Sequence, residues 1–265
     1  MLPLLASLLI YGFFEGRRIV VREYTAYFDD LPSGFDGFSI LHLSDFHFHG
    51  FDIRAQQLCE CLSNLPSDIA VITGDFRNKA YTNWNCVLPA LNRVIKTLKV
   101  RYGIFACLGN KETIGSVGIL ESLGISVLRN ANTKIKKGGQ RLYLIGVDET
   151  NPIKKFSVEC VNAMWNVPAQ SFKVLLAHTP DYIIFAKHFG IQLMLAGDTH
   201  GGQISLPFIG APKVKSRLSR KYAKGWVYEN GTTLYVNAGI GVVNLPVRIM
   251  CPPEIVRIVL RKGAL

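Results

Sequence analysis

Acidic residues are scarce in this chain: 19 Asp and Glu stand against 30 Lys and Arg, and charged residues of both signs make up only 18% of it. That low share, beside 49% apolar residues, excludes a disordered chain. The net charge of +11 points to an acidic partner: nucleic acid, an anionic membrane or a phosphate-bearing substrate. Also missing is any Cys-x-x-Cys pair or zinc-finger spacing among Cys59, Cys61, Cys86, Cys107, Cys160 and Cys251. No disulfide framework is expected, and most of these thiols sit in apolar runs, as buried cysteines in a reducing compartment do. No repeat or low-complexity linker interrupts the 265 residues, so no clean domain boundary is visible.

A bilayer-spanning run is absent as well. Met1 to Phe14 is nearly all apolar, but fourteen residues fall short of the roughly twenty that cross a bilayer. A signal peptide would carry leading charge and a small-residue cleavage site, and neither is present. Leu, Ile and Phe cover every side of the segment, which one core-facing stripe does not explain. Residues 1–30 are therefore expected to be a membrane-associating segment and lead-in, with Arg17, Arg18 and Arg22 meeting headgroups. The alternative is a helix buried against a body spanning 31–265. The arginines after the run favour a cytoplasmic body.

What is present is a series of short apolar runs alternating with helical periodicity. Phe38 to Ser44, Ile69 to Thr73 and Ile104 to Leu108 read as buried strands. Leu58, Cys61, Leu62 and Leu65, then Val87, Leu88, Leu91, Val94, Ile95 and Leu98, recur at helical spacing. The second half adds strands at 142–147, 174–177, 193–196, 234–236 and 255–260 with little helix between them. This alternation argues an α/β layered fold, a pair of sheets flanked by helices.

Five of these runs end in residues able to bind metal. Asp45 and His47 follow the first, and strand parity would project both to one face. Asp75 follows the second in Gly74-Asp75, and Asn110 the third in Gly109-Asn110. His178 follows 174–177, and Asp198 with His200 follows 193–196. Open α/β sheets gather ligands at the carboxyl ends of their strands. Seven nitrogen and oxygen donors without a thiolate are too many for one tetrahedral zinc and suit two ions sharing a carboxylate. Two ions about four Å apart form the clamp used to hydrolyse phosphate esters.

In order, Asp45-x-His47, Gly74-Asp75, Gly109-Asn110, His178 and Gly197-x-x-His200 resemble the five blocks of the calcineurin-like metallophosphoesterases over residues 38 to 260. The resemblance implies a four-layer αββα sandwich of two mixed sheets flanked by helices, with two divalent ions, most often Mn2+. It implies that Asp45, His47 and His200 hold one ion, that Asn110 and His178 hold the other, and that Asp75 bridges them. Residues 206–220 and 237–253 look like the membrane-associated bacterial branch, which includes an enzyme that cleaves UDP-2,3-diacylglucosamine to lipid X and UMP in lipid A biosynthesis. The expectation is a diphosphatase of that kind at the cytoplasmic face of the inner membrane. Alternatives are a broad-specificity phosphodiesterase or nuclease, or a catalytically dead relative. Nucleic acid is disfavoured because no aromatic–basic interleaving marks a strand-binding groove.

Two positions depart from the family pattern. Lys111 stands where a histidine usually assists the leaving group, and Asp198 stands where the first histidine of Gly-His-x-His binds the second metal. A third carboxylate offset by a lysine keeps the site's charge balanced. A lysine ammonium can hold a phosphoryl oxygen but is a poor general acid at neutral pH. A low-pKa leaving group such as UMP needs little protonation, so diphosphate cleavage is favoured over monoester hydrolysis. Lys111 and Asp75 are thus the expected catalytic residues. Lys111, His49 and Arg217 are the expected substrate contacts, Arg217 within a basic loop that reads equally as a solvated turn. His42 is expected to be structural and His188 a surface residue.

Overall fold

The computed structural model describes residues 2–50, 53–148 and 159–264. Its strands form two six-stranded sheets. The first contains β1 (Val20–Phe28), β2 (Ser39–Leu43), β3 (Ile69–Thr73), β4 (Ile104–Cys107), β5 (Ile125–Val127) and β12 (Glu254–Lys262) in the order β1-β12-β2-β3-β4-β5. The second contains β6 (Ala131–Lys137), β7 (Gln140–Gly146), β8 (Phe172–Leu176), β9 (Leu193–Ala196), β10 (Gly225–Glu229) and β11 (Thr232–Val236) in the order β10-β11-β9-β8-β7-β6. Strands β2 to β5 run parallel, as do β7 to β9 with β11, while β12 pairs antiparallel with β2.

The uninterrupted apolar runs are explained by burial on both faces. In β3, Ile69 and Val71 enter the core between the sheets, while Ala70 and Ile72 face the outer helices. In β9, Leu193 and Leu195 face inward, and Met194 and Ala196 face the opposite helix layer. Helices α2 (Ile53–Leu62), α3 (Trp84–Thr97) and α4 (Ser116–Ser122) cover the first sheet. Helices α5 (Glu159–Ala163) and α6 (Ile183–His188) lie over the second. The result is the four-layer αββα sandwich. Helix α3 starts at Asn83, whose side chain accepts from Asn85 N–H, and buries Val87, Ala90, Leu91, Val94 and Ile95. Val87, Leu91, Val94 and Ile95 are in the stripe its spacing predicts, whereas Leu88 is only half-buried and Leu98 caps the helix.

The lead-in is not wholly outside this body. Strand β1 pairs in parallel with β12 from Val20 to Phe28, so only α1 (Leu2–Glu15) stands apart from the sheets. Helix α1 touches the domain through its smallest residues. A Cβ on Gly12 would come 3.2 Å from Val247, Ile249 and the Arg248 carbonyl, and Gly12 O accepts from Arg248 N–H at 2.8 Å. Leu8, Leu9, Ile10, Tyr11, Phe13 and Phe14 stay exposed. Among the described residues no helix is long and apolar enough to cross a membrane. Of the cysteines, Cys59, Cys107 and Cys251 are buried, Cys61 is half-buried and Cys86 is exposed; the Cys160 side chain lies outside the described residues.

Candidate metal centre

All seven expected donors lie just past the carboxyl ends of parallel strands. Sheet one brings Asp45 and His47 after β2, Asp75 after β3 and Asn110 after β4. Sheet two brings His178 after β8 and Asp198 and His200 after β9. Strand parity is not what joins Asp45 to His47. Strand β2 ends at Leu43, and Asp45 (φ 52°) and His47 (φ 48°) both lie in the left-handed region, as do Asp75, Asp198 and His200. Such backbone costs about 1 kcal/mol or more per residue and gathers at functional sites. Ladder-like bonds hold the loops in this shape: Asp45 N–H to Gly74 O at 3.0 Å, and His47 N–H to Asp75 O at 3.0 Å. Two glycines make the close approach possible. A Cβ on Gly197 would enter Ser44 Oγ and Asp45 Oδ2, and one on Gly109 would enter Asp75 Oδ1.

Six of the seven donors converge. Two buried triads form, Asp45–His47–His200 and Asp45–Asp75–His178. The Nε2 atoms of His47 and His200 are 3.0 Å apart. Asp75 faces an imidazole from each sheet, Oδ2 lying 3.5 Å from His47 Nε2 and Oδ1 3.5 Å from His178 Nε2. Asp198 Oδ1 lies 3.3 Å from His178 Nε2. Asn110 sits at the exposed rim, its Oδ1 held by the Lys111 ammonium. The donor set fits divalent metal. Asp45 Oδ1 is buried without a hydrogen-bond partner and is 3.5 Å from His200 Nε2, an expensive arrangement unless a cation takes the lone pairs. His178 Nδ1 donates to Thr73 O at 2.6 Å, which fixes the tautomer and leaves Nε2 as the donor atom.

Electrostatics agree with that chemistry. Burial would raise the Asp45 carboxyl, but the His200, His47 and His178 imidazoles outweigh it and hold it well below the usual carboxylate range. Asp75 and Asp198 are lowered in the same way, Asp75 by His178 and His47 and Asp198 by His178 and Lys215, in each case against burial. Burial pulls His200 down to about 3, against the opposing charge of Asp45, and so keeps its imidazole neutral.

Several supporting residues lie outside the expected donor set. Arg248 is fully buried; it donates to the carbonyls of Gly239, Gly241 and Cys251 and lies 3.4 Å from His200 Nδ1. The Gly239–Gly241 loop in turn packs against Asp45 and His47. Glu112 accepts from the N–H groups of Asp75, Phe76 and Gly109 at 2.9–3.0 Å, and burial with the nearby Asp75 charge pushes its carboxyl up to about 7. His42 begins a relay: its Nε2 is 2.9 Å from Thr73 Oγ1, which donates to Ser44 Oγ, which donates to Asp45 Oδ2. A charged residue mid-loop, like Arg248, looks in sequence like any solvated arginine.

Above the donors opens a cleft of about 400 Å³ lined by His47, Asp75, Asp198 and His200, and by Lys111, Gln203, Lys213, Lys215 and Asn244. Lys111 Nζ is 3.6 Å from Asp75 Oδ2, and Lys215 pairs with Asp198 Oδ1. The expected substrate contacts are therefore redistributed. The basic loop delivers Lys213 and Lys215 to the cleft, whereas Arg217 is exposed and its N–H is tied to Asp181. His49 is exposed and lines a neighbouring cavity with Arg17, Arg54 and Asn244 instead of the cleft. His188 ends α6.

The calcineurin-like phosphoesterase family model matches residues 38–202. The chain belongs to that family. Its relatives include an uncharacterised metallophosphoesterase, YkuE, of Bacillus subtilis, 29% identical over 92% of this chain and 87% of that protein. The phosphodiesterase YaeI of Escherichia coli is 26% identical over the same shares. Among solved structures, the sulfate thiohydrolase SoxB of Thermus thermophilus superposes with a TM-score of 0.52 at 10% identity, covering 87% of this chain and 57% of that one, a likeness of fold alone. This calcineurin-like chain is a metallophosphoesterase-type phosphoester hydrolase, with donors for divalent metal in its site.

Proposed function

We propose that this phosphoesterase cleaves diphosphate or phosphodiester bonds whose leaving group needs little protonation, with UDP-2,3-diacylglucosamine as the leading substrate. The observation that carries the reading is the lysine lining the cleft: Lys111 Nζ, 3.6 Å from Asp75, occupies a position from which an ammonium binds a phosphoryl oxygen. Asp45, His47 and His200 would hold one divalent ion. Asn110, His178 and Asp198 would hold the other, with Asp75 between them and Mn2+ the first choice. When bound, such ions supply Lewis acidity toward phosphoryl oxygens and acidify water. The chain's own residues do the rest. Lys111 and Lys215 neutralise and orient the anion from two sides, and Arg248 and the His42 relay fix His200 and Asp45. Helix α1 would seat the enzyme on an anionic membrane, at the cytoplasmic face of the inner membrane in a bacterium.

The likeness to a phosphodiesterase supports a second reading, hydrolysis of soluble phosphodiesters. One assay separates the two. Purified chain with Mn2+ is given UDP-2,3-diacylglucosamine and, in parallel, bis(4-nitrophenyl) phosphate. Release of UMP supports the first reading, and diester hydrolysis without UMP supports the second. A metal-loaded chain inert toward both defeats each.

A further inference from the structure

Two loops flank the cleft and expose apolar side chains in a way that core packing does not explain. Leu206 and Gly210 exchange backbone hydrogen bonds at 2.9 Å and close a tight hairpin with Phe208 at its tip. Phe208 is fully exposed and has φ 63°, so a bulky residue stands in solvent on left-handed backbone. Ile209 beside it is exposed too. On the second loop Leu245 is 61% exposed, and Met250 is exposed with φ 50°. Exposed apolar groups that cluster, on backbone that costs energy to hold, mark an interaction surface.

The loops are joined to each other and to α1. Ser205 N–H donates to Ile249 O, and Ile249 N–H donates to Gln203 O, both at 2.9 Å. The Gln203 side chain reaches back to Val243 N–H and to the carbonyls of Leu245 and Val247. Gly12 of α1 rests on Val247 and Ile249 from the other side. Because the segment docks through Gly12 and, just past α1, Gly16, the side chains of Leu8, Leu9, Ile10, Phe13 and Phe14 are left exposed.

Charge identifies the occupant. Residues 203–224 hold six basic side chains and no acid, and residues 241–251 hold no acid, their one arginine, Arg248, being buried behind the metal site. In α1 the sole acid, Glu15, is buried and bonded to Arg18. A second copy laid on this face would oppose like charges, whereas an anionic bilayer complements them.

We infer that the Leu206–Gly210 hairpin and the Asn244–Met250 loop form, with α1, one docking face for an anionic lipid bilayer. This holds the mouth of the metal cleft against the membrane, since Asn244 belongs to both the face and the cleft, and Gln203, which lines the cleft, bonds to the carbonyls of Leu245 and Val247. The inference rests on the membrane reading above for α1 and adds the two loops. It makes the enzyme's substrate one presented at a bilayer surface.

The test is flotation of the full chain with phosphatidylcholine vesicles, with and without phosphatidylglycerol, for wild type and for Phe208→Asp/Ile209→Asp. Binding only to the anionic vesicles, weakened about tenfold or more in the double variant, is expected from burial of two apolar side chains. Leu245→Asp should weaken it in the same direction. Mn2+-dependent hydrolysis of soluble bis(4-nitrophenyl) phosphate should be equal in all three and reports that the variants fold. Vesicle binding unchanged in both variants would overturn the inference, leaving α1 alone as the anchor. So would absence of wild-type binding, or a dimer in sedimentation that the double variant dissociates while vesicles go unbound. Loss of diester hydrolysis in wild type would count against the catalytic reading and leave the docking result standing.

Discussion

Single residues set the chemistry of this site. Asp75 faces a histidine from each sheet, so Asp75→Asn should lower bound metal from about two equivalents to about one or fewer, with loss of phosphoester hydrolysis. Elemental analysis of the purified variant checks this, and unchanged metal content would refute the shared role. Lys111→Ala should lower kcat/KM on phosphodiesters by roughly 10- to 100-fold, the worth of one charge-assisted hydrogen bond to the anion. If the variant keeps wild-type kinetics, the lysine does not touch phosphate. His42 is a separate matter, because it is fully buried and burial pulls it down to about 3. A group held neutral in this way stabilises the fold fully above its ordinary value of 6.5, and that contribution is lost as the pH falls toward 3. At pH 5 the loss is on the order of 2 kcal/mol. Urea unfolding of the metal-free chain at pH 7 and pH 5 should show it, and His42→Asn should reduce the difference. An undiminished difference would locate the acid sensitivity elsewhere.

Elements position those residues. The carboxyl ends of β2, β3, β4, β8 and β9 meet at one rim, and the left-handed turns beyond them aim the side chains inward. Gly197 is the tightest point of that rim. Gly197→Ala would drive a methyl into Ser44 Oγ and Asp45 Oδ2. Overpacking of this kind costs about 1–3 kcal/mol and should loosen metal binding as well. Thermal unfolding with and without Mn2+ measures both effects, and a fully stable, fully metal-loaded variant would show that the loops yield. Further out, the basic loop is pinned where Lys187, Lys221 and Tyr222 all contact Glu229. Those hydrogen bonds draw the Glu229 carboxyl down to about 2. The pin is therefore complete above the ordinary glutamate range near 4.5 and is lost as the pH falls toward 2. Glu229→Gln should reproduce that loosening at neutral pH, seen as faster amide exchange across 220–224.

At the scale of the molecule, a net charge of +11 concentrated in the cleft-side loops makes attraction to anionic surfaces dependent on salt. Much of the architecture was legible in the chain. Runs such as Ile69–Thr73 are apolar throughout because each face meets a different core, so both their strand character and their burial could be read from one stretch. The edge strands β5, β6 and β10 are not legible in the chain, because half-exposed segments carry no comparable pattern. Strand β1, exposed or half-exposed along most of its length, reads as lead-in for the same reason. The donor residues were legible because each follows a run that ends abruptly. His49 shares its type and parity with His47, yet it lines a neighbouring cavity, and Arg217, one of several basic residues in its loop, has its backbone N–H on Asp181.

The sequence by itself determined the family, the layered α/β class and the candidate metal donors, since these depend on residue type and on order along the strands. Tertiary structure alone decided three things. The donors converge through left-handed turns and not through strand parity, because the strand ends before Asp45. Arg248, Glu112 and the His42 relay belong to the site, because residues far apart in the chain are brought within hydrogen-bond reach. Leu8, Leu9, Ile10, Phe13 and Phe14 of α1 are exposed, because the chain there packs on the domain through Gly12 and, just past the helix, Gly16. Composition records how much apolar surface a helix carries; only packing decides which way it faces.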